Sequence, residues 1–120
     1  MLRHNFRQFR IWIDSVQLTK EIYQLTQRFS SEHKFGLSSQ LYRAAVSIPS
    51  NIAEGSARKT DKDFSHFLTM SLGSAFELET QIVVAQLCEI VSDYDYTMLI
   101  ARIQALQKQI TAFNNSISKK

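Results

Sequence analysis

Glycine and proline are scarce, with three and one in 120 residues. Sheet proteins need many tight turns, and turns draw on those two residues. Their near absence points to a few long helices. Cysteine occurs once, at Cys88, which excludes an intramolecular disulfide and a cysteine-rich zinc site. It stands in the run "IVVAQLCEIV" and reads as a buried small hydrophobe. Long hydrophobic runs are missing too, so no membrane span or signal peptide is expected and a cytoplasmic address follows by default. An excess of one charge is missing as well. The net charge is +3, with a pI of about 9.2, a mild pull toward nucleic acid at most.

What is present is ordinary globular composition, 44% hydrophobic and 21% charged. A chain of this length is expected to form one domain over residues 1–120 and can bury a real core. Apolar residues recur at spacings of three and four in four segments, which is one face of a helix each time. The first, about 5–29, carries Phe6, Phe9, Trp12, Ile13, Val16, Ile22, Leu25 and Phe29. The second, about 37–57, carries Leu41, Ala44, Ala45, Ile48 and Ile52. The third, about 61–91, carries Phe64, Phe67, Leu68, Leu72, Ala75, Leu78, Ile82 and Ala85. Thr60, three residues before Asp63, has the spacing of a capping box at its start. Gly73 costs this helix about 1 kcal/mol relative to alanine, and close approach of a neighbouring helix would compensate. The fourth, about 95–117, alternates three and four without a miss through Tyr96, Leu99, Ile103, Leu106, Ile110, Phe113 and Ile117. Asp93 or Asp95 is its expected cap. Short loops make neighbours antiparallel, so the fold class is all-α, an up-down-up-down four-helix bundle.

The second helix raises a question of its own. Pro49 sits in its middle, where it removes one N–H and crowds the carbonyl of Ala45 at a cost of ~3 kcal/mol. A kink is expected there, with Ser47 and Ser50 satisfying the freed backbone groups. Beside the apolar stripe runs a polar one of Gln40, Arg43, Ser47, Asn51, Glu54 and Arg58. It is either a solvated face or a packed polar network, within the chain or between chains. Arg43 and Arg58 could fork onto Glu77 or Glu79.

The stretch "FGLSSQLYRAAVSIPSNIAEGSARKTDKDFSHFL", followed by "GSAFELETQI", resembles a bacterial family of four-helix bundles. Its first known members were encoded in intervening sequences of the large-subunit ribosomal RNA gene. The likeness runs over roughly residues 9–113, and "SIPSNIAEG" at 47–55 is its most specific motif. A second basic residue is common in the family where Tyr42 stands, and a proline near Ser31. The resemblance implies a homopentameric ring and no enzyme. A similar fold serves as the accessory protein of diversity-generating retroelements, which binds nucleic acid and a reverse transcriptase.

Catalytic and metal patterns are not found. A di-iron bundle needs Glu-x-x-His on two helices, and only Asp63 and His66 share that spacing, once. No HExxH, phosphate loop or dinucleotide fingerprint occurs. His4, His33 and His66 lie in different segments, and Glu77 and Glu79 point apart on a helix. No cofactor is implied. Two basic groups remain: Arg3, Arg7 and Arg10 at the start of the first helix, and Arg58, Lys59 and Lys62 between the second and third. They are either solvated charge or phosphate contacts. A ring would repeat each cluster and multiply weak contacts. Phenylalanines at core spacings leave no stacking platform for bases. The reading is a non-enzymatic homo-oligomer that binds RNA or DNA electrostatically. Gln40, Arg43, Ser47, Asn51, Glu54 and Glu77 would then form a polar network or subunit interface. The alternative is a protein-interaction scaffold that binds a protein partner and no nucleic acid.

Overall fold

The computed structural model describes residues 5–118, apart from the side chains of residues 33–35. A 3-10 turn at Phe6–Gln8 leads into α1, Arg10–Thr26. A second 3-10 turn, Ser31–His33, and a π-helical turn, Lys34–Ser38, lead into α2, Ser39–Ser56. Then come α3, Asp61–Leu87, and α4, Asp93–Ser118, with no strand among the described residues.

Each helix packs on its sequence neighbours, and α4 closes the square on α1. Thr19 meets Ala45 and Tyr23 meets Tyr42 between α1 and α2. Ser47 meets Ser74 and Ile48 meets Ser71 between α2 and α3. Ser65 meets Asn114 and Gln86 meets Asp93 between α3 and α4. Glu21 meets Arg102 and Arg28 meets Asp95 between α1 and α4. In every pair the numbers climb on one helix as they fall on the other. The result is an antiparallel up-down-up-down bundle with extents of 47 × 21 × 20 Å.

The core runs along the bundle axis. Ile22, Leu41, Ile48, Ile52, Phe64, Leu68, Leu78, Ile82, Ile103 and Ile110 lose essentially all contact with water. Each such burial stabilises by roughly 1.5–3 kcal/mol. The expected stripes of α2 and α4 face this core, with Tyr96 and Phe113 half-buried at its margin. In α3, Phe67 and Leu72 are likewise half-buried and Ser71 is buried.

Elsewhere the pattern misleads. In α1, Ile13 and Val16 are exposed, at 41% and 40%. The buried stripe passes instead through Ile11, Ser15 and Leu18. Ser15 is tolerated inside because its hydroxyl donates to the Trp12 carbonyl at 2.9 Å. Helix α1 starts at Arg10 and not near residue 5, because Phe9 is extended, with ψ 127. That bend delivers the Phe9 ring onto Phe113 and Phe64, at 4.9 and 6.2 Å between centroids.

Helix α3 ends at Leu87, four residues early, in a Schellman turn. The Ile90 N–H donates to the Ala85 carbonyl at 2.8 Å and the Glu89 N–H to Gln86 at 3.0 Å. Glu89 takes the left-handed conformation, φ 61, where glycine is usual. Cys88 rides this turn and is exposed, contrary to its apolar surroundings in sequence. The α4 cap is Ser92, whose hydroxyl accepts from the Asp95 N–H at 3.1 Å, and both aspartates lie inside the first turn. Thr60 caps α3 as its spacing predicts, accepting from the Asp63 N–H at 3.1 Å.

Helix α2 continues through Pro49, which is buried. The carbonyl of Ala45, robbed of its partner by the proline ring, faces the Thr19 hydroxyl of α1 at 3.1 Å. That hydroxyl shares its proton with the Ser15 carbonyl, 2.8 Å away. Neither Ser47 nor Ser50 does this work. The close helix approach expected at Gly73 occurs at Gly55 instead. A Cβ on Gly55 would stand 2.6 Å from Phe67 Cβ, whereas one on Gly73 would meet nothing within 4 Å.

Candidate nucleic-acid interface

The two basic clusters lie about fifty residues apart in sequence. The Phe9–Phe64–Phe113 contact brings them to one end of the bundle. It pins the start of α1 against the start of α3 and the last turns of α4. Arg7 and Arg10 therefore share an end with Arg58, Lys59 and Lys62. Arg3 lies outside the described residues. Arg7 occupies the 3-10 turn, so it does not continue the stripe of α1; its guanidinium covers the Trp12 ring at 5.4 Å. Arg10 reaches Asp14 at 3.8 Å with a side chain 77% exposed, a weak pair. Arg58 stacks over Phe67 at 4.4 Å and pairs with Glu54 at 3.7 Å. Lys59 and Lys62 are exposed, with no hydrogen bond or ion pair to described residues. Beside them a recess of about 350 Å³ opens between the first turn of α3 and the last of α4, lined by Asp61, Lys62, Ser65, Ile117 and Ser118. Asp61 and Asp63 temper the positive charge here and complement the α3 dipole.

The polar stripe of α2 divides in two. Its inner part is packed. Ser47 and Ser74 hydroxyls meet at 2.8 Å, and Asn51 Nδ2 donates to the Ser47 carbonyl and hydroxyl at 2.9 and 3.0 Å. Ser71, fully buried, donates to the Ile48 carbonyl at 2.9 Å. The outer part borders an open notch of about 390 Å³ lined by Gln40, Arg43, Ala44, Ser47 and Glu77. Arg43 takes no hydrogen bond or ion pair among the described residues. Glu77 accepts weakly from Gln81 at 3.4 Å. Glu79 turns the other way and accepts from Gln104 and Gln107 of α4, at 3.1 and 2.7 Å. So neither glutamate receives the arginine fork that the sequence allowed. Thr19, Ser71 and Ser74 escaped the sequence reading. The one signal for Ser71 and Ser74 was the small-residue run "SLGSA", which lies across from "SIPSN"; Thr19 had none.

Among the described residues no three His, Cys, Asp or Glu side chains gather as metal ligands do. His66 is exposed and edges the Phe67 ring. Among the described residues no helix is long and apolar enough to cross a membrane.

The family model of 23S rRNA-intervening sequence proteins matches residues 7–112. No curated protein matches the chain. Among solved structures, the chain is similar to a protein with unknown function from the S23 ribosomal protein family of Bacteroides thetaiotaomicron VPI-5482, determined at 1.70 Å. The two are 23% identical with a TM-score of 0.82, over 88% of this chain and 95% of that one. At that identity the likeness speaks for the fold.

Proposed function

That the chain belongs to the family of 23S rRNA-intervening sequence proteins is the premise from which we propose its role. It is a non-enzymatic assembly protein that self-associates and holds RNA or DNA by its phosphates. The observation that carries this reading is the convergence of Arg7, Arg10, Arg58, Lys59 and Lys62 at one end of the bundle. Lys59 and Lys62 offer free ammonium groups. Arg7 and Arg58 are held over the Trp12 and Phe67 rings, which limits their freedom and preorganises them for phosphate oxygens. At this end Phe64 is sealed in the core, Trp12 and Phe67 lie under arginines, and Phe6 packs edge-on against Trp12. Contacts therefore go to the backbone and not to bases.

One such end is a weak ligand for a polyanion. Assembly repeats it, and repeated weak contacts become useful affinity. The resemblance noted above supports a ring of five. The working compartment we propose is the cytoplasm. The test is light scattering after size exclusion, run with and without a structured fragment of 23S rRNA at low and high salt. A mass near five chains that rises with RNA at low salt and not at high salt supports the reading. An assembly indifferent to RNA at every salt favours a second reading, a protein scaffold. The large apolar side chains Phe76, Val84 and Leu87, exposed on α3, point that way.

A further inference from the structure

Helices α1 and α4 leave between them a cleft of about 230 Å³ that the packing of this chain does not fill. The Glu21–Arg102 pair fixes the register of these antiparallel helices. Asp14, two turns before Glu21, therefore lies level with Gln109, two turns after Arg102. The cleft has two unlike ends. Asp14 and Gln109 wall one of them. Arg102, its guanidinium taken by Glu21, stops the other. Between the ends Leu18 and Leu106, both buried, form a floor. Ala101 and Ala105 are exposed at its edge and too short to cover it. The helix rises about 12 Å from Ala101 to Gln109, so the cleft is longer than one side chain.

The Asp14 end is short of donors. Among the described residues the Asp14 carboxylate meets Arg10 alone, at 3.8 Å, and that arginine is largely in water. Such a pair holds its carboxylate weakly. Gln109 Oε1 is buried with no hydrogen-bond partner among the described residues, a condition that native structures seldom leave standing. Two acceptors lacking a good donor call for a cation that carries several N–H groups. The apolar floor calls for a chain of methylenes. The second cleft of this seam, beside Tyr94, offers no such end, because its Asp95 carboxylate already accepts from Arg28 at 3.1 Å.

We propose that this cleft binds a linear primary amine, its ammonium at Asp14 beside Gln109 and its alkyl chain laid over Leu18 and Leu106. An ammonium has three N–H donors. Asp14 takes a charge-assisted bond from it, and the remaining donors face Gln109 and water. The chain covers apolar surface that Ala101 and Ala105 leave open. A few polar groups at one end of an apolar hollow is the usual design of a small-molecule site. Carboxylates and phosphates are poor ligands here, since Asp14 repels them and Arg102 is already paired. A lysine side chain has the same head and stem. Its backbone, however, would have to lie where Arg102 and Glu21 stop the cleft, so the ligand is a free amine.

The test titrates n-pentylamine into the isotope-labelled wild-type protein and follows amide NMR shifts. Saturable shifts confined to residues 14–18 and 101–109 are expected. 1-Pentanol has the same chain without the charge and should need about tenfold more ligand, the loss of one charged hydrogen bond. Valerate, of opposite charge, should leave the spectrum unchanged. Asp14→Asn keeps the shape of the end and should weaken pentylamine about tenfold. Ala105→Leu fills the floor and should abolish the shifts in a protein whose spectrum is still folded; Ala101→Leu takes its place if that spectrum is lost. Undiminished binding by the filled variant overturns the proposal, as do shifts scattered over every exposed carboxylate. Pentanol binding as well as pentylamine overturns it too, because the cleft would then be greasy and nothing more. Tighter binding of N-acetyl-lysine N-methylamide than of pentylamine would assign the cleft to a partner's lysine instead.

Discussion

The α2–α3 seam and the α1–α4 seam solve the same packing problem in opposite ways. Along α2–α3 the backbones come close. Gly55 lies against Phe67 and Phe64, and the serines reach across to a carbonyl and to each other. Along α1–α4 the helices stand apart. Ala101 and Ala105 face Asp14 and Leu18 across a cleft of about 230 Å³, and a second cleft of similar volume opens between Arg28 and Tyr94. Long side chains bridge this gap as ion pairs. Small residues produce intimacy where the facing helix closes on them, as α3 closes on Gly55. Where the facing helix does not close, as opposite Ala101 and Ala105, the result is a groove.

The sharpest way to break the contrast is to fill Gly55. The blocking atom is a Cβ fixed to the α3 backbone, so a side chain has nowhere to rotate. Gly55→Leu should cost about 3 kcal/mol or more and lower the thermal midpoint by many degrees, or prevent folding. The same change at Gly73 should leave the fold intact. Equal losses at the two glycines would show that the seams do not differ in the way described.

The next effect concerns the proline. Thr19→Val keeps shape and removes the hydroxyl that faces the Ala45 carbonyl. The expected loss is ~1–2 kcal/mol by urea unfolding. Pro49→Ala restores the N–H that this carbonyl lacks, so in that background Thr19→Val should cost distinctly less. Additive losses would mean that the threonine acts only through the Ser15 carbonyl.

These two sites also show what sequence could and could not disclose. The stripes of α2 and α4 were legible because their buried positions are apolar, save Ser56 at the very end of α2. In α1 the stripe passes through Ser15, whose own backbone contact conceals its polarity, so the spacing chose Ile13 and Val16. Hydroxyls at 19, 71 and 74 carry no hydropathy signal at all, yet they hold the proline helix. The stop of α3 was hidden because Glu89 stands where glycine would have announced it. The basic residues were legible one cluster at a time. Their meeting at one end depends on Phe9, Phe64 and Phe113, which read simply as core.

A smaller and opposite effect is expected in the loose seam. Ala105→Leu places apolar volume in the cleft beside Leu18 and Leu106. Gains from filling such space run about 0.5–1 kcal/mol, seen as a rise in the urea midpoint with unchanged slope. A loss would mean that the cleft is rigid and that the seam is tighter than its volume suggests.

The smallest effect tests the bridge itself. Arg102 pairs with Glu21, and their side chains are 39% and 27% exposed. Water competes for both ends, and two long side chains give up rotamer freedom to meet, so such a pair is worth ~0–1 kcal/mol. Arg102→Met keeps an aliphatic stem in the cleft that Leu106 also lines and leaves Glu21 near enough to water to be solvated. The expected change is under about 0.5 kcal/mol, insensitive to salt once the pair is gone. A large loss would place the pair among the structural ties of the bundle, comparable with the serine contacts of α2–α3. The seams would then differ in chemistry but not in strength.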